Sequence, residues 1–333
     1  MVNEAWSGIL FALAAGAIIG SVLVPMKYVK QWGWENIWFV FSICAYLLSP
    51  WIVAVFSIPH LGSVYAATDV RVTIITCLLG AGWGFAVVLF GLAVDWAGLS
   101  VATALLYGSS VALGSLGALF LVNRSKLFSA EGLKIVAWDL ILLIGVWFCA
   151  RAGREREPAT TSNHDRNRLG ISIALIAGVL STLFNIVLTF GDPIRRKAMA
   201  EGAAPNLATN AIWALAVSAG SLPSIVWSFI LLRRNSKWKL FRNARPVFNF
   251  GSCIGMAVLW ITGTVLYGSA TVRLGTLGTV IGWPVYISAV IISGIAWGWF
   301  IGEWGGASRR SLNLLWAGVA GQVIGIVLLS TAS

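Results

Sequence analysis

The sequence contains ten apolar runs, each close to the roughly 20 residues that an α-helix needs to cross a lipid bilayer. Lys, Arg, Asp and Glu make up only 11% of the 333 residues, whereas a soluble domain has about 25%. The pattern therefore predicts an all-α polytopic membrane protein with about ten transmembrane helices. We place these helices at 6–26, 36–57, 72–94, 99–122, 134–152, 170–191, 206–232, 247–271, 276–301 and 311–331.

The formal net charge of +11 has a membrane explanation. The Lys and Arg residues lie in short connections between apolar runs, where the anionic bilayer surface attracts them, so nucleic-acid binding is not predicted. Odd-numbered connections carry more Lys and Arg than even-numbered ones. Because cytoplasmic loops are enriched in these residues, we expect the odd connections in the cytoplasm and both termini on the opposite side of the membrane.

Two pairs of segments recur in the same order in the two halves of the chain. "GILFALAAG" at 8–16 is similar to "GISIALIAG" at 170–178. "VLFGLAVDWAG" at 88–98 is similar to "VLYGSATVRLG" at 265–275. Apolar helices resemble one another by chance, but two ordered matches predict an internal duplication.

The duplication predicts two five-helix repeats, at 1–152 and 169–333, separated by a mobile cytoplasmic connection at 153–168. Because five is an odd number, the second repeat must enter the membrane with the opposite orientation, which makes the repeat inverted. The register of the second match aligns Trp83 with Trp260. Inverted repeats bind their substrates near the bilayer midplane, between the halves, so we expect the site there.

No catalytic motif occurs in the sequence. HExxH, GxSxG, a P-loop and paired carboxylates are all absent, and the four cysteines lie singly in apolar runs. We therefore predict no catalytic residue, no cofactor and no metal site. A secondary transporter or facilitator fits this pattern, and a membrane scaffold or sensor that transports nothing is the alternative from another class.

Tryptophan and asparagine at helix depth are the candidate substrate contacts. Flat apolar rings beside amide groups suit a ligand ring with hydroxyl groups on its edge. Each residue equally suits packing between helices, and that alternative stays open. The candidates are Trp83, Trp213, Trp260, Trp283, Asn185, Asn210 and Tyr267, with Asn206, Gln322, Tyr107 and Tyr286 at similar depth.

Two carboxylates are candidates for proton coupling, because charge inside a membrane is costly and usually functional. Asp139 falls within the fifth run, and its alternatives are an ion pair with Lys134 or a position at the outer interface. Glu35 begins the second run, where the alternative is a favourable contact with the helix N-terminus. Pro25 and Pro284 are candidate hinges, with a static packing kink as the alternative.

Several stretches, spread over both halves, resemble the L-rhamnose-proton symporter family of the drug/metabolite transporter superfamily. Two of them combine loop charges with tryptophan in a fixed order, which makes the likeness specific. The stretches are "VPMKYVKQWGWENIW" (24–38), "GAGWGFAVVLFGLAVDWAGLS" (80–100), "RAGRERE" (151–157), "IGWPVYISAV" (281–290) and "GEWGGASRRS" (302–311).

The resemblance implies a bacterial inner-membrane carrier that imports a deoxy-sugar with a proton by alternating access. It also implies that the first four helices of each half line the cavity and that the fifth packs outside. The family pattern has an acidic residue in the ninth helix, where this chain has Thr279. We therefore predict a transporter of a small neutral, L-rhamnose-like sugar, with a proton-independent facilitator or exporter of another metabolite as the alternative.

Overall fold

The computed structural model describes residues 2–122, 124–156, 164–242 and 245–331. The regular elements among these residues are all helices, and no strand is present there, which confirms the all-α prediction. The α-helices are α1 Val2–Gly20, α2 Trp34–Ser42, α3 Ser49–Ser57, α4 Leu61–Ala66, α5 Val70–Ala97, α6 Leu99–Val122, α7 Ala130–Arg156, α8 His164–Ser181, α9 Leu183–Phe190, α10 Asp192–Ala200, α11 Asn210–Arg234, α12 Pro246–Arg273, α13 Gly278–Phe300 and α14 Arg309–Ser330.

Ten helical segments in the described part of the chain are long and apolar enough to cross a membrane, as predicted. The second of these spans is interrupted between α2 and α3, and the sixth is interrupted between α8 and α9. The short helices α4 and α10 lie in connections. In order, the spans are α1, α2 with α3, α5, α6, α7, α8 with α9, α11, α12, α13 and α14.

The helices on either side of the predicted connection at 153–168 are longer than expected. Helix α7 continues to Arg156, and α8 already begins at His164. Residues 157–163 lie outside the described residues. The division of the chain into two units at this connection stays a prediction.

Helix contacts occur in matched pairs. The first span, α1, packs against α12 and α13, the eighth and ninth spans. The sixth span, whose first part is α8, packs against α5 and α6, the third and fourth spans. Each span of one set has its counterpart in the other set five positions away (1 and 6, 8 and 3, 9 and 4), which supports the predicted repeat.

Helices α5 and α11 approach each other to backbone contact. A Cβ atom at Gly80 would overlap the carbonyl oxygen of Ala216, and one at Gly84 would overlap that of Gly220. Between lipid tails there is little hydrophobic drive for helices to associate, so close van der Waals contact stabilises the pair. Small residues on both helices make this contact possible.

The second span winds differently between α2 and α3, where Ile43–Leu48 form a π-helical segment. Pro50 explains the change, because proline has no N–H to donate to the carbonyl of Tyr46 four residues earlier, and its ring crowds that carbonyl. The helix widens there instead of breaking. Single π-helical turns are frequent at functional sites, and this one contains Tyr46.

We expect Gly80→Ala to lower the thermal stability of the purified protein in detergent. The added methyl group collides with the backbone of α11, and overpacking of this kind costs about 1–3 kcal/mol. The control is Gly255→Ala on α12, where a Cβ atom would meet open space. A melting temperature as high for Gly80→Ala as for the control would contradict the proposed contact.

Candidate functional site

A cavity of about 550 Å³ opens between the ends of several helices. Its walls come from the end of α1, from α2 and the π-helical segment, from the first half of α6, and from the ends of α7 and α13. Lys27, Arg156 and Glu303 line its mouth, at the end of the molecule that carries the odd-numbered connections. A space of this size accepts a small ligand.

The fifth span contributes to the cavity wall, through Val146, Ala150 and Gly153 of α7. The expectation that the fifth helix of each half packs outside the cavity is therefore wrong, since Leu315 of α14, the fifth span of the second half, lines it as well. The close packing of α7 against α6 gives the reason. A Cβ atom at Gly153 would overlap the side chain of Ser100 on α6, so the glycine lets α7 reach the wall beside it.

The inner end of the cavity is aromatic. Tyr46, Tyr107 and Trp260 line it, and the rings of Tyr46 and Trp260 meet edge to face with centroids 4.8 Å apart. Trp83 lies behind Trp260, nearly parallel to it, at 5.8 Å and 30°. We call Tyr46, Tyr107 and Trp260 the aromatic floor.

Polar groups on the cavity wall are few. The hydroxyl groups of Tyr46 and Tyr107 have no hydrogen-bond partner in the described part of the chain. Thr103, one turn from Tyr107 on α6, also lines the cavity. An apolar, partly aromatic wall with a few hydroxyl groups suits a small neutral ligand that has both C–H faces and hydroxyl groups.

The mouth carries one cluster of charges. The carboxylate of Glu303 pairs with Lys27 and accepts from the guanidinium of Arg156 at 3.5 Å. The same guanidinium lies 4.5 Å from the ring centre of Trp304. These contacts tie together the ends of α1, α7 and α13. The described residues include no cluster of three His, Cys, Asp or Glu side chains that could hold a metal ion.

Among the candidate substrate residues, Trp260 and Tyr107 line the cavity. Trp83, Trp213, Trp283, Asn185, Asn210 and Tyr267 are all buried behind the aromatic floor or at the closed end of the molecule. Phe184 joins several of them, stacking on Trp213 at 4.5 Å and packing against Trp83 at 5.0 Å. In this state of the protein these side chains pack helix against helix.

Asn185 connects four spans. Its amide nitrogen donates to the carbonyl oxygens of Gly114 at 3.1 Å and Thr279 at 2.8 Å, and its oxygen accepts from the Tyr267 hydroxyl. Its donors and its acceptor are therefore all engaged within the protein. This arrangement fits the alternative of packing between helices rather than ligand contact.

Asn210 helps to close the end of the molecule opposite the cavity mouth. Its amide donates to the Ser57 hydroxyl at 3.0 Å, between the seventh and second spans. Tyr65 donates to the carbonyl of Ala211 at 2.8 Å, and Ser269 donates to the carbonyl of Asn206 at 2.6 Å. Together these bonds hold the connections at this end against the helices.

Asp139 lies deep in α7 and is only 2% exposed. Its carboxylate makes no hydrogen bond of good geometry, although the Ser115 hydroxyl of α6 lies near enough to interact with it. Lys134 is exposed on another face of α7. The alternative of an ion pair with Lys134 is therefore wrong, whereas a position at the outer interface stays a prediction. Asp139 lies on the face of α7 that bears Val146, about two turns farther from the mouth.

Glu35 is buried at the start of α2 and binds the connection that follows α11. Its carboxylate accepts from Asn235 at 2.6 Å and pairs with Lys237 at 3.1 Å. The neighbouring Trp32 is buried between Phe241 and Phe250 at 5.1 and 4.9 Å. The connection between the first and second spans therefore packs against the second half of the chain. Glu35 does not line the cavity.

The candidate hinges lie in different settings. Pro25 begins a short 3-10 turn, Pro25–Tyr28, at the end of the first span and close to the cavity mouth. Pro284 lies within α13, which continues as a helix on both sides of it. Hinge motion at either proline stays a prediction.

Tyr46 and Glu303 line the cavity but were not among the residues predicted from the sequence. Pro50 was the signal for Tyr46, because a proline four residues later disturbs the helix at that point. Glu303 lies in a connection, and its two partners come from positions 27 and 156, so spacing along the chain gave no signal.

A family model described as "L-rhamnose-proton symport protein (RhaT)" matches residues 1–332. The chain belongs to this family. The L-rhamnose-proton symporter of Escherichia coli (strain 55989 / EAEC) is 25% identical over 341 residues, covering 98% of this chain and 99% of the relative. The L-rhamnose-proton symporter of Shigella boydii serotype 18 is equally similar, with the same coverage. The RhaT family thus accounts for the whole length of the fold.

We expect Tyr267→Phe to lower thermal stability, because it leaves the buried oxygen of Asn185 unpaired at a cost of about 1–3 kcal/mol. Asn185→Ala should cost more, since it also frees two carbonyl groups. The double variant should lose less than the sum of the two, because the residues share a bond. Thr262→Val is the control, since its exposed hydroxyl bonds only to its own helix. If the stability losses of the two single variants add up to that of the double variant, Tyr267 and Asn185 do not share a hydrogen bond.

Proposed function

We propose that this member of the RhaT family is a proton-coupled secondary transporter of L-rhamnose or a closely related neutral sugar. Alternating access in a bacterial inner membrane would carry the sugar inward. The single observation that carries the proposal is the cavity with its aromatic floor, in a chain of a sugar-proton symport family. The names of the relatives supply the substrate class.

The chemistry of a deoxy-sugar matches the wall of the cavity. The methyl group and C–H face of the sugar can pack against Trp260 and Phe41, while ring hydroxyl groups can bond to Tyr46, Tyr107 and Thr103. In bulk solution the hydroxyl groups of the sugar are hydrogen-bonded to water. Only a site that replaces those hydrogen bonds can bind the sugar tightly.

The open end of the cavity corresponds, in the proposed orientation, to the cytoplasmic side. The excess of Lys and Arg in the odd-numbered connections supports this orientation. Sugar release would then occur past Lys27, Arg156 and Glu303. Entry from the periplasm would require the bonds of Asn210, Tyr65 and Ser269 at the opposite end to open.

The site of proton coupling is proposed to be Asp139. Its carboxyl group is buried, with no ion-pair partner among the described residues, on the face of α7 that continues to the cavity wall. Glu35 remains a weaker candidate, because its carboxylate is already bonded to Asn235 and Lys237. A proton-independent facilitator is the second candidate function. The observation that favours a facilitator concerns Glu303. Among the described residues it is the one carboxylate that lines the cavity, and it is already paired with two cations.

Transport by purified protein in liposomes tests the proposal. With an imposed pH gradient, labelled L-rhamnose should accumulate above its external concentration, whereas a facilitator gives only equal concentrations on both sides. Asp139→Asn should convert accumulation into equilibration. No transport of any sugar in a panel, with no sugar-dependent rise in melting temperature, would exclude a sugar transporter.

We expect Trp260→Leu to raise the half-saturating concentration of L-rhamnose about tenfold, because the substrate loses an aromatic face in the cavity. The control is Trp316→Leu on α14, where the side chain is 55% exposed and away from the cavity. Initial uptake rates in liposomes at several sugar concentrations measure both. Equal half-saturating concentrations in the two variants would show that Trp260 is not part of the binding site.

A further inference from the structure

A tyrosine occurs at the same place in the fourth and ninth spans. "LLYGSSV" at 105–111 and "PVYISAV" at 284–290 share tyrosine, serine and valine in register. Helices α6 and α13, which contain these segments, pack against each other. Tyr107 and Tyr286 are therefore counterparts in the two predicted repeats.

The two tyrosines differ in their surroundings. Tyr107 lines the cavity, whereas Tyr286 is 6% exposed and does not line it. The Tyr286 ring packs against Tyr267 at 4.7 Å and Trp283 at 5.5 Å. In the described part of the chain the Tyr286 hydroxyl has no hydrogen-bond partner.

Two further counterpart pairs are divided in the same way. Phe90 lines the cavity, and its counterpart Tyr267 packs against Tyr286. Trp260 lines the cavity, and its counterpart Trp83 lies behind it. In every pair, one member faces the open cavity and the other lies on the closed side of the floor.

We propose that Tyr107 and Tyr286 bind the same sugar in turn, each from its own side of the membrane. In the state described, the Tyr107 hydroxyl faces the sugar from the open end. In the opposite state, Tyr286 takes that place, in a cavity lined by Tyr267 and Trp83 instead of Phe90 and Trp260. The sugar then stays between the paired tyrosines while access changes, because α6 and α13, which carry them, pack against each other. This inference rests on the proposed function.

Sugar transport measured separately in each direction tests the proposal. Right-side-out and inside-out membrane vesicles present opposite ends of the protein to labelled L-rhamnose. Tyr107→Phe should raise the half-saturating concentration about three- to tenfold only from the open end, and Tyr286→Phe only from the opposite end, since each removes one hydrogen bond. Tyr28→Phe, which changes an exposed tyrosine outside the cavity, is the control. A Tyr286→Phe effect on the same side as Tyr107→Phe, or on neither side, would overturn the proposal.

A second measurement does not depend on the substrate. Single cysteines are placed at positions 107 and 286 after replacement of the four native cysteines, and a membrane-impermeant maleimide is added to one side at a time. Position 107 should react from the open end only, and position 286 from the opposite end only. Reaction of both positions from the same side, or no reaction at position 286, would overturn the proposal that the two positions are accessible in turn from opposite sides. Correct labelling without sugar transport would leave the exchange of access standing and refute the proposed function.

Discussion

Inside a bilayer, every backbone N–H and C=O group must find its partner within the protein, and this constraint shapes the whole structure. Helices satisfy it most simply, so departures from regular helix occur where other protein surrounds them. The π-helical segment Ile43–Leu48 and the break between α8 and α9 are such departures. Tyr46 of the cavity floor lies in the first, and Asn185 follows the second. Irregular backbone thus lies close to the proposed substrate path, as in other transporters with discontinuous helices.

Buried polar side chains serve two purposes that the surroundings distinguish. Asn185 uses its amide groups to join four spans, and Asn210 joins the second and seventh. Tyr46 and Tyr107 have hydroxyl groups on a cavity and no partner among the described residues. A side chain such as Asn185, with every bond satisfied, stabilises one state of the protein, whereas one with a free bond beside a cavity can bind a ligand. The second kind carries the proposed function.

The predicted site residues occupy different places in the structure. Trp260 lies on the cavity wall, while its counterpart Trp83 lies behind it. Sequence position assigns both to the same depth but does not say which of them faces the open side. Asp139 was predictable as a residue within the fifth span. That it forms no ion pair with Lys134 depended on how α7 is rotated against α6 and α14.

The sequence by itself determined the ten spans, their helical form and the RhaT family, because apolar length and local patterns are properties of contiguous residues. The tertiary structure alone decided which end of the molecule is open, which aromatic rings face the cavity, and that Glu303 meets Lys27 and Arg156. The physical reason is that these features depend on the rotation and tilt of helices far apart in the chain. Backbone contacts such as those of Gly80 and Gly84 with α11 fix that arrangement.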